Sequence, residues 1–108
     1  MRTIKELQRL AHKTAVEKGF WDSDRSFGAL IALLHSELSE ALEAYRKRGF
    51  AFWHESNKPC GVESELADLF IRLLDLCEFY GIDLQARTEE KMLYNKTRDY
   101  RHGDLKEV

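Results

Sequence analysis

The chain has 108 residues, a net charge of −2, 44% hydrophobic residues and 33% charged ones. That length suits one domain, residues 1–108, with a modest core. The near-neutral balance gives no electrostatic reason to bind a nucleic acid polymer.

Helical periodicity opens the chain, with Ile4, Leu7, Leu10, Ala11 and Ala15 spaced for one face of a first helix over residues 3–18. Gly19 ends it. An aromatic-to-acidic loop, residues 20–24, follows. Ser26 can cap a second helix that runs to residue 47 or 48, with Gly49 as its stop. Residues 49–60 read as the longest irregular connection, unusually aromatic for a loop (Phe50, Phe52, Trp53). A third helix over residues 62–80 carries Leu66, Leu69, Phe70, Leu73, Leu74, Leu76 and Cys77, and is expected to be the most buried. Asp83 then caps a fourth helix through residue 97, and an irregular charged tail completes the chain. The expected fold is all-α, with four main helices.

Cys60 and Cys77 sit in different contexts and form neither a disulfide framework nor a zinc site. The first residues lack the apolar centre of a signal peptide, and no apolar run reaches the roughly 18 residues of a membrane span. A soluble, cytoplasmic protein without membrane partners is the expectation.

The richest chemistry lies in two acidic pairs of the same spacing, Glu37 with Glu40 and Glu65 with Asp68. Three residues advance a helix by about 300°, so the two members of each pair leave nearly one face. Glu37 falls inside the apolar arc of its helix, and Glu65 borders the arc of the third. Buried like charges demand a counter-ion. Four carboxylates without a histidine or cysteine partner suit a hard cation such as Mg²⁺, with Mn²⁺ able to substitute. Acidic pairs at this spacing are also common on solvated helix faces, and Glu43 and Glu63 fit that plainer reading. Di-iron bundles need Glu-x-x-His pairs, which the chain lacks.

With these pairs in hand, three stretches in order resemble one family. His35–Tyr45 (HSELSEALEAY), Glu65–Asp68 (ELAD) and Lys91–Asn95 (KMLYN) look like the MazG-like nucleotide pyrophosphohydrolases of the all-α NTP pyrophosphatase superfamily. The resemblance spans about residues 26–103. It implies that Glu37, Glu40, Glu65 and Asp68 are Mg²⁺ ligands at a catalytic centre, and that Lys91 and Asn95 contact substrate. It implies hydrolysis of a (deoxy)nucleoside triphosphate to monophosphate and pyrophosphate, in a homodimer or homotetramer. Two positions depart from the family pattern: Ser36 stands where many members carry a further Glu, and Arg72 where related dCTP pyrophosphatases place a tyrosine. Base preference, and house-cleaning as against control of a normal dNTP pool, stay open.

Other side chains complete the list of candidates. Lys91, Asn95 and Arg98 recur along one stripe, and with Lys96, Arg101 and His102 they can hold phosphate oxygens; a solvated helix end is the plainer account. Trp53 is the preferred base-stacking residue, with Phe50, Phe52 and Trp21 as further wall, although loop aromatics often only close a core. His12, His35, His54 and His102 have no metal-ligand spacing, and neither cysteine has an adjacent base. No glycine-rich phosphate loop is present, so phosphates would be gripped through the cation. Water would be the nucleophile, one of the four carboxylates its general base. The competing class is a non-enzymatic helical interaction module with a structural cation, and a family member with lost activity is a third reading. The broad apolar arcs of the second and third helices exceed what the thin stripe of the first can cover, which independently favours self-association.

Overall fold

The computed structural model describes residues 1–100. Helices α1 (Ile4–Glu17), α2 (Phe27–Arg48), α3 (Val62–Phe79) and α4 (Leu84–Lys96) match the four predicted, and a short 3₁₀ turn, Phe20–Asp22, lies between α1 and α2. Local chemistry explains the helix starts. Thr3 and Glu6 form a reciprocal capping box on α1. The Ser26 hydroxyl accepts from the Ala29 N–H at 3.1 Å, and the Asp83 carboxylate from the Ala86 N–H at 3.0 Å. That backbone hydrogen bond, helped by Lys5, holds Asp83 below the usual carboxylate range.

The connection expected to be irregular is instead a β-hairpin. Strands β1 (Phe52–Glu55) and β2 (Lys58–Gly61) pair antiparallel, with Trp53 opposite Cys60 and Glu55 opposite Lys58. The turn residues Ser56 and Asn57 both take positive φ, 48° and 70°, the geometry that joins two twisted strands in two residues. Pro59 and the absence of an Asn-Gly pair hide this hairpin from pattern reading. The fold is mostly helical with the four expected helices, and it carries a small two-stranded sheet besides. Gly61 makes the corner into α3: its φ is 109°, and a Cβ there would collide with the carbonyl oxygen of Ala51.

α1 and α2 both pack on α3, which supplies the buried residues Val62, Leu74, Asp75, Leu76 and Cys77. The expectation that the third helix is the most buried is met. Leu30, Leu76 and Cys77 centre a core closed by Phe20, Trp21, Leu33, Leu34, Leu73 and Leu84. α1 contributes an unexpected core member, Gln8. Its Nε2 donates to Glu78 Oε1 at 3.2 Å and to the Ile82 carbonyl at 3.0 Å, while its Oε1 accepts from the Leu84 N–H at 3.3 Å. A buried amide with every contact made ties α1 to the α3–α4 turn. Losing it removes one partner from each of those groups, although the Leu84 N–H and the Ile82 carbonyl also bond to each other at 3.1 Å.

α4 is docked chiefly through its start. The Lys5 N–H donates to Gln85 Oε1 at 3.1 Å, and Lys5 Nζ lies 3.4 Å from Asp83. No residue of α4 is buried, and Met92, Leu93 and Tyr94 are exposed. Among the described residues, no helix is long and apolar enough to cross a membrane. The predicted phosphate contacts Arg101 and His102 lie outside the described residues.

Candidate functional site

The seam between α2 and α3 gathers the acids. Ligand oxygens of Glu37, Glu65 and Asp68 all lie within 4.8 Å of one another. Glu37 and Glu65 are half-buried and Asp68 is exposed, so the cluster runs from the helix interface out to solvent. Glu40 is exposed and stands outside this trio, yet it is near enough to Glu65 to act on its carboxyl. Burial pushes the Glu65 pKa up, and the nearby charges of Asp68, Glu40 and Glu37 push it further in the same direction.

Arg72, one turn beyond Asp68, answers part of this negative charge. Its Nε lies 3.3 Å from Glu37 Oε1, and its guanidinium sits over the Phe20 ring, 4.7 Å from the centroid. Arg25 covers the same ring at 3.9 Å, with its Nε donating to the Phe20 carbonyl at 2.8 Å. A cavity of about 850 Å³ opens here, lined by Glu37, Asp68, Arg25, Arg72 and Lys18 together with the apolar residues Leu7, Leu10 and Ala11 of α1. That size suits a small organic ligand.

The donor set fits a hard cation. Mg²⁺ takes oxygens at about 2.1 Å, so ligands on opposite vertices stand about 4.2 Å apart. Any three such ligands include neighbours only about 3.0 Å apart, so a trio gathered within 4.8 Å would close up around the ion. All three donors are carboxylates, and the crowding registered at Glu65 is the repulsion that a cation relieves.

The other candidates are placed elsewhere. Trp53 lies on β1, its Nε1 donating to Glu55 Oε1 at 3.1 Å and its ring covered by Arg48 at 4.4 Å. That face is taken, and Trp53 does not line the cavity beside the acids. Trp21 stacks on Phe79, with ring centroids 3.9 Å apart and planes 2° from parallel. Phe50 and Phe52 are exposed on or beside the hairpin. Lys91, Asn95, Lys96 and Arg98 are exposed, and α4 packs against α1 rather than along the acid seam. Lys91 and Arg98 both lie against the Tyr94 ring, at 5.3 and 6.0 Å. Within one protomer, the basic stripe of α4 is not brought to the acids.

Three residues near the cavity were not singled out from sequence. Arg25 looks like an ordinary loop cation until the turn folds it over Phe20. Asp75 is buried at 4% exposure; Trp21 Nε1 donates to its oxygens at 2.9 and 3.2 Å, and His12 Nδ1 pairs with it at 2.7 Å. A signal existed in this case, since Asp75 interrupts the apolar run Leu73–Cys77 and a buried charge requires partners. His12 had no comparable signal. Cys77 is buried, which pushes its thiol pKa up and keeps it inert.

Comparison with protein-family models, with curated proteins and with solved structures finds no match.

The raised Glu65 pKa makes a stability prediction. The folded state binds this proton more tightly than the unfolded chain does, so the contribution is stabilising below the ordinary value of 4.5 and is lost as pH rises through the folded value. Glu65→Gln should therefore raise the unfolding midpoint by a few degrees at pH 7.5 in EDTA, and the gain should fade on acidification to about pH 4. Thermal melts at the two pH values check this; a lower midpoint at pH 7.5, or an equal gain at both, would refute it.

Proposed function

We propose that the chain is a nucleoside triphosphate pyrophosphohydrolase that requires Mg²⁺, with Mn²⁺ able to replace it. The observation that supports this reading best is the convergence of Glu37, Glu65 and Asp68 beside a cavity that also presents arginines. An acid cluster and a basic wall in one opening match a polyphosphate that arrives with its cation. The bound cation would supply Lewis acidity, neutralising charge that develops on phosphoryl oxygen. The chain's own residues do the rest. Glu37, Glu65 and Asp68 hold the cation, and Arg72 keeps Glu37 oriented. Glu40, near Glu65 and outside the trio, would either complete the ligand set or take a proton from the attacking water. The order of the two acidic pairs and of Lys91 and Asn95 in the sequence supports the same activity and a MazG-like identity. Two free cysteines suit a reducing cytoplasm.

The working unit in this proposal is a homodimer or a homotetramer. Leu38, Leu42 and Tyr45 on α2, and Leu66 and Phe70 on α3, are each 42% to 52% exposed. Side chains of this size on two adjacent helices form an apolar face that a second copy can cover. α4 stands away from its own acid seam, so Lys91 and Asn95 are left to serve a neighbouring copy.

Incubation with a panel of NTPs and dNTPs, with and without Mg²⁺, tests the activity. Pyrophosphate and monophosphate should appear only with the cation, and Glu37→Gln should lower turnover by about two orders of magnitude while the helical spectrum survives. Diphosphate plus orthophosphate as primary products would contradict the reaction. Absence of any hydrolysis would favour a helical interaction module with a structural cation. Light scattering of the active sample should report at least a dimer; a fully active monomer of 12.7 kDa would contradict the assembly.

A further inference from the structure

Arg25 and Arg72 come from different elements, the loop before α2 and the middle of α3, and converge on one phenyl ring. Each is held by its Nε: Arg25 donates to the Phe20 carbonyl at 2.8 Å, and Arg72 to Glu37 at 3.3 Å. The ring attracts each guanidinium by cation–π interaction, at 3.9 and 4.7 Å from its centroid. In both residues the two terminal nitrogens then have no acceptor among the described residues. Anchored guanidinia with idle terminal N–H groups are a preorganised fork for oxyanions, because the ordering cost has already been met by the protein. The two guanidinium carbons can be no farther apart than their two distances to the Phe20 centroid combined, a span that neighbouring phosphates of one chain can bridge.

The fork's position has a physical cause. Phe20 meets Trp21 edge to face at 5.1 Å, and Trp21 is fastened by stacking on Phe79 and by donating to the buried Asp75 carboxylate. The platform is thus clamped to α3 from beneath, while the same cavity wall continues to Glu37 and Asp68. A solvated arginine pair would need none of this anchoring.

We propose that Arg25 and Arg72, mounted on Phe20, form an anion subsite that grips the phosphates of a polyphosphate ligand independently of the Lys91 and Asn95 stripe. The subsite rests on the reading of the cavity as a polyphosphate site and adds the residues that hold the chain's oxygens. The shared chemistry is a run of linked phosphates, supplied by a nucleoside triphosphate or by an inorganic chain.

Isothermal titration of the full chain with Mg²⁺ and inorganic tripolyphosphate tests this, with a second arm using α,β-imido deoxynucleoside triphosphates, which resist cleavage between the α- and β-phosphates. Arg25→Gln and Arg72→Gln should each weaken binding about tenfold in both arms, the effect of losing one charge-assisted contact. Lys58→Gln, which removes an exposed charge on β2 away from the cavity, should leave binding unchanged. Tighter binding in the nucleotide arm assigns the subsite to nucleotides, and tighter tripolyphosphate binding assigns it to the inorganic chain. Wild-type affinity in both arginine variants, an equal loss in Lys58→Gln, or no binding of either probe by the wild type would overturn the proposal. Circular dichroism on each variant separates a lost contact from a lost fold, and Arg25→Lys, which keeps the charge without the fork, should recover only part of the loss. Pyrophosphate release from NTPs with unaltered binding in the arginine variants would sink the subsite and leave the activity standing. Weakened binding without hydrolysis would do the reverse.

Discussion

Like charges gathered on the seam between α2 and α3 set the terms for everything near them. Glu37, Glu65 and Asp68 bring oxygens within 4.8 Å, and burial together with the charges of Asp68, Glu40 and Glu37 disfavours the ionised Glu65. A helix pair meant only to pack would place leucine or alanine at these positions and be more stable for it. The chain instead keeps four acids, and among the described residues Arg72 on Glu37 is the close cation that offsets them. In the proposed function a divalent ion would answer the remaining imbalance. The neighbouring construction follows from the same constraint: a cationic wall on Phe20, a buried Asp75 that ties the turn to α3, and a cavity joining the two signs of charge.

The helices were legible in the sequence because their caps and periodicities agree. Ser26 and Asp83 make the hydrogen bonds expected of caps, Thr3 caps α1 from just outside the helix it was expected to start, and Gly49 and Gly81 lie just past helix ends. The acidic pairs were legible for a related reason: spacing alone puts two side chains on one face, and the apolar arcs of both helices point those faces at a common seam. The hairpin was not legible. Its strands are only four residues each, Pro59 interrupts the second, and its turn uses Ser56-Asn57 rather than a pairing with glycine. What decides it is the close approach of Gly61 to Ala51, a tertiary fact.

Long-range side-chain chemistry was the other part beyond reach. The convergence of Arg25 and Arg72 on Phe20, and of His12 and Trp21 on Asp75, depends on the exit angle of the 3₁₀ turn, which no local pattern encodes. The same turn occupies Trp21 with Phe79, while the hairpin sets Trp53 against Arg48, so both loop tryptophans have partners within the chain. Amphipathic arcs were read correctly as arcs, but only part of each is covered. α2 buries Leu30 and Ala41 and leaves Leu38, Leu42 and Tyr45 exposed; α3 buries Leu74, Leu76 and Cys77 and leaves Leu66 and Phe70 exposed. Each helix therefore spends one half on the core and presents the other half beside the acid cluster, where association and chemistry would share a surface.

Crystallography with Mn²⁺, using anomalous scattering, tests the central claim most directly. The account predicts an anomalous peak between α2 and α3 with carboxylate oxygens of Glu37, Glu65 and Asp68 at about 2.2 Å, within the range expected for a hard divalent cation. Mn²⁺ at full occupancy elsewhere, with the α2–α3 seam bare of anomalous density, would contradict it.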